Sequence, residues 1–239
     1  MISIVIPAYR EEKWIEATVR QFGALTLPHE VIVADGKSPD RTVEIARRCA
    51  DKVVMFDGRA PKHNAAIGRN DGAKASGGDM VVFLDSSSSI PNINVFFARA
   101  LAHFEGDSHL VCLNVFQWIS PGETLTDRLV LWLTNTSLRF QNNVLKTGIG
   151  SGKFMMMRKD AFEKVGGFRE ELAVGEDGDI VYRLSKIGHT YIDPSLFILY
   201  PGRREHQIGW TKLLWTWTKD WAAVRLFGRA QKDEWQPIR

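Results

Sequence analysis

Cysteine is nearly absent from this chain: only Cys49 and Cys112 occur among 239 residues. They form no Cys-x-x-Cys pair, which excludes a disulfide framework and a cysteine-based zinc site. Each sits in an apolar pattern, so both are expected to be buried thiols in a reducing compartment. No apolar run approaches the roughly 18 residues of a membrane span. Met1 leads directly into a strand-like run without a leader, so the expectation is a cytoplasmic protein whose only membrane contact is peripheral. An excess of one charge is also missing. Lys and Arg total 31 against 28 Asp and Glu, a net charge of +3, with no dense basic block, which argues against nucleic-acid binding. There is no internal repeat and no low-complexity linker. What remains is an ordinary globular composition, 44% hydrophobic and 25% charged, in a chain long enough to bury a substantial core.

Short apolar runs alternate with helical patterns through the first half. Ile2 to Ile6, Val31 to Ala34, Val53 to Phe56 and Met80 to Leu84 read as buried strands. Helical spacing follows in Trp14 to Phe22, in Val43 to Cys49 and in the Ala-rich stretch from Asn64 to Ala75. Continuous apolar strands separated by helices predict an α/β fold, a mostly parallel sheet with helices on both faces. The second half is less regular. Strands are predicted at Leu110 to Phe116 and Phe154 to Met157. Helices are predicted over Leu125 to Leu145, from Lys159 to the Gly166–Gly167 pair, and over Glu176 to Ile187, with Gly148 to Gly152 as a flexible loop.

Ligands of such sheets bind beyond the carboxyl ends of the strands. Three polar clusters lie there. Asp35 to Thr42 opens a helix, and reads as a capped turn or as a ligand loop. Asp85 ends an apolar strand before four serines, as a helix cap or as a ribose or metal ligand. Glu176 and Asp177 begin a helix, where acids complement the dipole or supply a general base. No Gly-x-Gly-x-x-Gly follows the first strand, which argues against a dinucleotide-dependent dehydrogenase. Gly148 to Lys153 only echoes a phosphate loop, because Phe154 stands where a hydroxyl would be needed.

In order, these pieces resemble the inverting nucleotide-sugar glycosyltransferases of the GT-A fold, the large family that includes dolichyl-phosphate mannose synthases and cellulose-synthase catalytic domains. Ser3 to Glu12 (SIVIPAYREE) is similar to the family's opening. Asp35 to Thr42 (DGKSPDRT) resembles its D-G-x-S-x-D-x-T loop, Gly68 to Ala73 its A-R-N-x-G segment, and Phe83-Leu84-Asp85 the start of its F-L-D-x-D element. Gly166 to Glu170 followed by Glu176 to Arg183 resembles its G-G-F-D-E … E-D-x-D-L-x-x-R region. The correspondence covers about residues 2 to 190.

The resemblance implies a nucleotide-sugar donor lined by Pro7, Tyr9, Glu11, Asp35, Ser38, Arg69 and Asp85. It implies Asp177 as the general base with Glu176 beside it, and inversion at the anomeric carbon. It also implies Mg²⁺ or Mn²⁺ on the diphosphate, with Asp85, Ser87 and His206 as candidate ligands. Ser87 stands where the family carries a second acid, and a hydroxyl is a much poorer ligand than a carboxylate. Either metal is held weakly through Asp85 and His206, or Arg203 and Arg204 neutralise the diphosphate. The expected organisation is a nucleotide-sugar half over 1–115, an acceptor and catalytic half over 116–200, and a Trp-rich helical segment over 201–239. In the last, Trp210, Leu214, Trp217, Trp221 and Val224 share one helical face, which suits a core-docking helix or a membrane-interface helix serving a lipid-linked acceptor. Glycans and small molecules are the other acceptor classes. Two rivals are a catalytically silent nucleotide-sugar-binding protein and a sugar-nucleotide pyrophosphorylase.

Overall fold

A computed structural model describes residues 1–55 and 64–227. Phe56 of the third expected strand and residues 228–239 of the C-terminal segment lie outside the described residues. The strands are β1 (Ile2–Ala8), β2 (His29–Asp35), β3 (Lys52–Met55), β4 (Met80–Leu84), β5 (Leu110–Ile119), β6 (Phe154–Arg158) and β7 (His189–Tyr200). They form one sheet in the order β3-β2-β1-β4-β6-β5-β7. β1 to β4 pair in parallel, β6 runs antiparallel between β4 and β5, and β5 pairs in parallel with β7. The mostly parallel α/β architecture follows from the apolar runs, because strands covered on both faces need no polar alternation.

Side-chain alternation splits the core into two layers. Ile4, Ile6, Val82 and Leu84 face one layer with Phe22, Phe97 and Phe104. Val5, Val81, Phe83, Met155 and Met157 face the other with Phe162, Phe168, Ile180 and Leu184. The helices that cover the sheet are α1 (Ile15–Arg20), α2 (Thr42–Cys49), α3 (Ala65–Lys74), α4 (Ile93–Gly106), α5 (Leu125–Arg139), α6 (Lys159–Lys164) and α7 (Glu176–Leu184), followed by α8 (Arg203–Ile208) and α9 (Trp210–Phe227). A 3₁₀ turn over Gln21–Ala24 extends α1, and a π-helical turn over Phe140–Val144 extends α5. Gly72 lets α3 lie on β1, because a Cβ there would stand 2.3 Å from Val5 Cγ1.

α4 and β7 lie outside the predicted elements. Residue 115, where the donor half is expected to end, lies within β5, and one sheet runs through both halves. Cys112 is buried as expected, while Cys49 is only half-buried. Among the described residues no helix is long and apolar enough to cross a membrane.

Candidate active site

The loops after β1, β2 and β4 open into one cleft of about 1070 Å³, closed on the far side by the 148–152 loop, α7, α8 and α9. Pro7, Tyr9, Glu11, Asp35, Arg69, Asp85, Ser87, Glu176, Asp177, Arg203 and Arg204 all line it. Ser38 and His206 do not.

Asp35 ends β2 and is almost fully buried. Its carboxylate accepts from the Ser38 backbone N–H and the Ser38 hydroxyl, each at 2.7 Å. Burial raises this carboxyl above the usual carboxylate range, against the pull of Ser38. Ser38 in turn accepts from the Arg10 N–H at 2.8 Å, and Thr42 Oγ1 accepts from the Glu11 N–H at 2.8 Å. The β1 and β2 loops are thereby locked together, with Ser38 acting through Asp35 rather than on the cleft itself.

Arg69 is the hub of the cleft floor. Its Nη1 donates to Glu176 Oε1 at 2.6 Å, its Nη2 to the Gly152 carbonyl at 3.3 Å, and Nη2 lies 3.7 Å from Asp85 Oδ1. Burial opposes its charge, yet Glu176, Asp85 and Asp177 together raise its basicity. Burial pushes the Glu176 carboxyl upward, with the neighbouring Asp177 charge adding to the effect, while Arg69 works against both. Asp177 is placed differently. Its Oδ2 accepts from the Gly152 N–H and its Oδ1 from the Gly178 N–H, both at 2.8 Å. The two N–H groups fix the direction of the carboxylate, and a carboxylate oxygen can accept more than one hydrogen bond.

Two motifs separated in sequence meet here. Asn70 Oδ1 accepts from the Phe168 N–H, and Asn70 Nδ2 donates to the Phe168 carbonyl, both at 2.9 Å. Gly167 has φ +67°, and a Cβ on it would stand 2.8 Å from Asn70 Oδ1. The 148–152 loop, read from sequence only as flexible, is a working wall of the cleft. Asn114 Nδ2 donates to the Ser151 and Phe154 carbonyls at 3.1 and 2.8 Å, and Ser151 Oγ donates to Gln117 at 3.2 Å. Its glycines were the available signal, since a Cβ on Gly152 would sit 2.9 Å from Asp177 Oδ2.

The residues present do not suit a metal centre. Ser87 Oγ accepts from Arg203 Nη2 at 3.1 Å, and the same nitrogen lies 3.2 Å from Glu11 Oε1. A guanidinium thus occupies the neighbourhood of the neutral ligand. His206 is turned away: its Nε2 is 2.9 Å from Asp127 Oδ2, which also accepts from the Thr124 hydroxyl, while Asp127 Oδ1 accepts from Trp210 Nε1 at 2.6 Å. Burial alone would raise Asp127, but these bonds outweigh it and hold the carboxyl far below its ordinary range. His206 therefore anchors α8 to α5 and is not brought to Asp85. Among the described residues no group of three His, Cys, Asp or Glu is arranged to hold a metal ion. Arg204, beside Arg203, is lowered in basicity first by burial and then by that neighbouring charge.

The α9 stripe borders the cleft, with Trp217 and Trp221 still exposed to solvent. Leu214, Trp217, Trp221 and Val224 line the cleft, and Trp210 packs its ring against Trp217 at 6.4 Å.

This arrangement has relatives. The chain is 28% identical over 221 residues to the succinoglycan biosynthesis protein ExoA of Rhizobium meliloti, covering 87% of this chain and 65% of that protein. It is similar in structure to the mannosyltransferase PcManGT of Pyrobaculum calidifontis, solved with GDP-Man and Mn²⁺, with a TM-score of 0.70 and 20% identity over 99% of this chain and 65% of that one. TarS of S. aureus, solved with UDP-GlcNAc, matches with a TM-score of 0.59 and 18% identity over 83% of this chain and 58% of that one. The chain thus spans less than two thirds of the length of these proteins. The likeness to the solved structures carries the GT-A fold. The family model described as Glycosyl transferase family 2 matches residues 3–166, well over half of the sequence, and the chain belongs to that family.

Proposed function

We propose that this chain is a nucleotide-sugar-dependent glycosyltransferase that inverts the anomeric carbon. The observation that best supports this is the shared cleft of Asp177, aimed by two backbone N–H groups, with Asp85 and the Arg203–Arg204 pair. In the proposed step Asp177 takes the proton of an acceptor hydroxyl as its oxygen bonds to the anomeric carbon. The bond from that carbon to the diphosphate breaks, and the nucleoside diphosphate leaves from the opposite face. General-base catalysis of this kind contributes roughly 10²–10⁴-fold. Glu176, ion-paired with Arg69, holds the floor of the site.

Pro7, Tyr9, Glu11, Asp35 and Arg69 line the nucleotide in this reading, with Ser38 positioning Asp35 and Asp85 facing the ribose. Arg203 and Arg204 neutralise the diphosphate, since guanidinium groups match phosphate oxygens in charge and geometry. Two structural neighbours were solved with Mn²⁺, which supports Mg²⁺ or Mn²⁺ as the candidate ions. Here a divalent ion would find Asp85 as its carboxylate and would compete with Arg203 at Ser87, so metal dependence is weak. Residues 1–115 serve the donor and 116–200 the acceptor. From 201 onward the chain supplies the cations and the Trp217–Trp221 wall, whose apolar faces suit a sugar ring or a lipid-linked acceptor.

Calorimetry with UDP, GDP and their sugars, with and without chelator, tests the reading. Binding of one nucleotide series that persists in chelator is expected. No binding to any nucleoside diphosphate would overturn it.

A further inference from the structure

The outward face of α5 is apolar where a solvated helix would carry charge. Leu125, Leu129, Trp132, Leu133 and Phe140 are 85%, 59%, 53%, 52% and 53% exposed. At about 100° per residue they fall with Thr136 into one arc about 100° wide. Asp127, Leu131 and Asn135 are buried on the opposite side. Val144 and Leu145 prolong the exposed stripe past the helix. The buried side is held by Leu131 and by the hydrogen bonds of Asp127 and Asn135, so the apolar residues of this helix lie mainly on its exposed side.

The charges around the stripe share one sign. Arg128 and Arg139 flank it, and Lys146 follows, all exposed, whereas the helix's one acid, Asp127, is buried. On α9, Trp215 and Lys219 are exposed and stacked together, while Asp220 is buried. Glu123, just before α5, is the exception. An apolar stripe with Trp, bordered by cations, is what the headgroup–acyl boundary of an anionic bilayer favours. A second copy fits less well, because a two-fold contact through this face would bring the Arg128 and Arg139 cations of one copy against those of the other. We propose that α5 docks this protein on anionic lipid, lying in the interface plane with the Leu125–Phe140 stripe inward. Thr134, Leu138 and Gln141 on its other side line the cleft, so docking would hold the cleft mouth at the lipid surface.

The inference is independent of the transferase reading, since vesicle binding needs neither donor nor acceptor. Flotation of the full chain with phosphatidylcholine vesicles, with and without phosphatidylglycerol, tests it. Binding to the anionic vesicles, weakened by salt, is expected. A Leu129→Asp/Trp132→Asp double variant should lose about tenfold or more in partitioning, with unchanged melting temperature and nucleotide affinity. Arg128→Gln/Arg139→Gln should weaken binding to anionic vesicles only. Failure of the wild-type chain to float, equal flotation of the double variant, or a dimer in ultracentrifugation that this variant abolishes would each overturn the proposal.

Discussion

Arg69 Nη1 and Glu176 Oε1 lie 2.6 Å apart across 107 residues of chain, joining α3 to α7, the helix that begins at Glu176 and carries Asp177 in its first turn. Both side chains are nearly closed to solvent. Breaking a buried pair from one side strands the other charge, at about 3–5 kcal/mol. Arg69→Met should therefore destabilise strongly in urea unfolding. The sign with pH is defined: without Arg69 the buried Glu176 carboxyl titrates still higher, so the folded chain keeps a proton that the unfolded chain releases, and the loss grows as pH rises. A loss that is small or independent of pH would mean the pair is dispensable.

Asp35 carries a cost that nucleotide binding should offset. Burial raises its carboxyl, so folding becomes less favourable as pH rises from the unfolded value through the folded one, and stays so above it. Asp35→Asn removes that cost while keeping an acceptor for the Ser38 N–H. Its melting temperature at neutral pH should equal or exceed wild type. Nucleotide affinity should fall by about 1–3 kcal/mol if a charged hydrogen bond to the ligand is lost. A lower melting temperature with unchanged affinity would make Asp35 a loop anchor only.

Arg203 and Ser87 set the metal requirement. With Arg203 Nη2 at 3.1 Å from Ser87 Oγ, turnover should persist in chelator. Arg203→Ala should weaken nucleoside diphosphate binding by about tenfold or more. Ser87→Asp should introduce tight Mn²⁺ binding and a dependence on it. Wild-type activity abolished by chelator and restored by micromolar metal contradicts the assignment.

Gly152 leaves no room for a side chain. A Cβ there would meet Asp177 Oδ2 at 2.9 Å and Arg69 Nη2 at 3.0 Å. Gly152→Ala should displace the carboxylate and lower kcat about 10–100-fold, as small misplacements of reacting groups do, with KM for the donor and the melting temperature little changed. Wild-type turnover would show that the aim of Asp177 does not matter.

The parallel half of the sheet and the residues just past its strands were legible because each apolar run and its terminal polar cluster are local in sequence. β7 was not, since residues such as Asp193 and Ser195 interrupt its apolar pattern and the strand is completed by pairing with β5 across a register shift. His206 was misread as a metal candidate because its partner, Asp127, lies 79 residues away and no local pattern reveals it. The Trp stripe of α9 was legible as a stripe. Which side it faced depended on how α9 packs over α7. The exposed apolar face of α5 was not legible because the segment reads only as a helix, and which of its faces stays exposed depends on how it packs against β5 and β7.

Asp177→Asn tests the central claim most directly. The substitution keeps size and an acceptor for one of the two backbone N–H groups, which bond to separate carboxylate oxygens, and it removes the carboxylate that would take the proton. Steady-state kinetics with a hydroxyl acceptor should show kcat reduced by at least about a hundredfold, with donor affinity and melting temperature near wild type. A merely dipole-complementing acid would cost about 0.3–1 kcal/mol of stability and leave turnover intact. Full activity in Asp177→Asn would contradict the account.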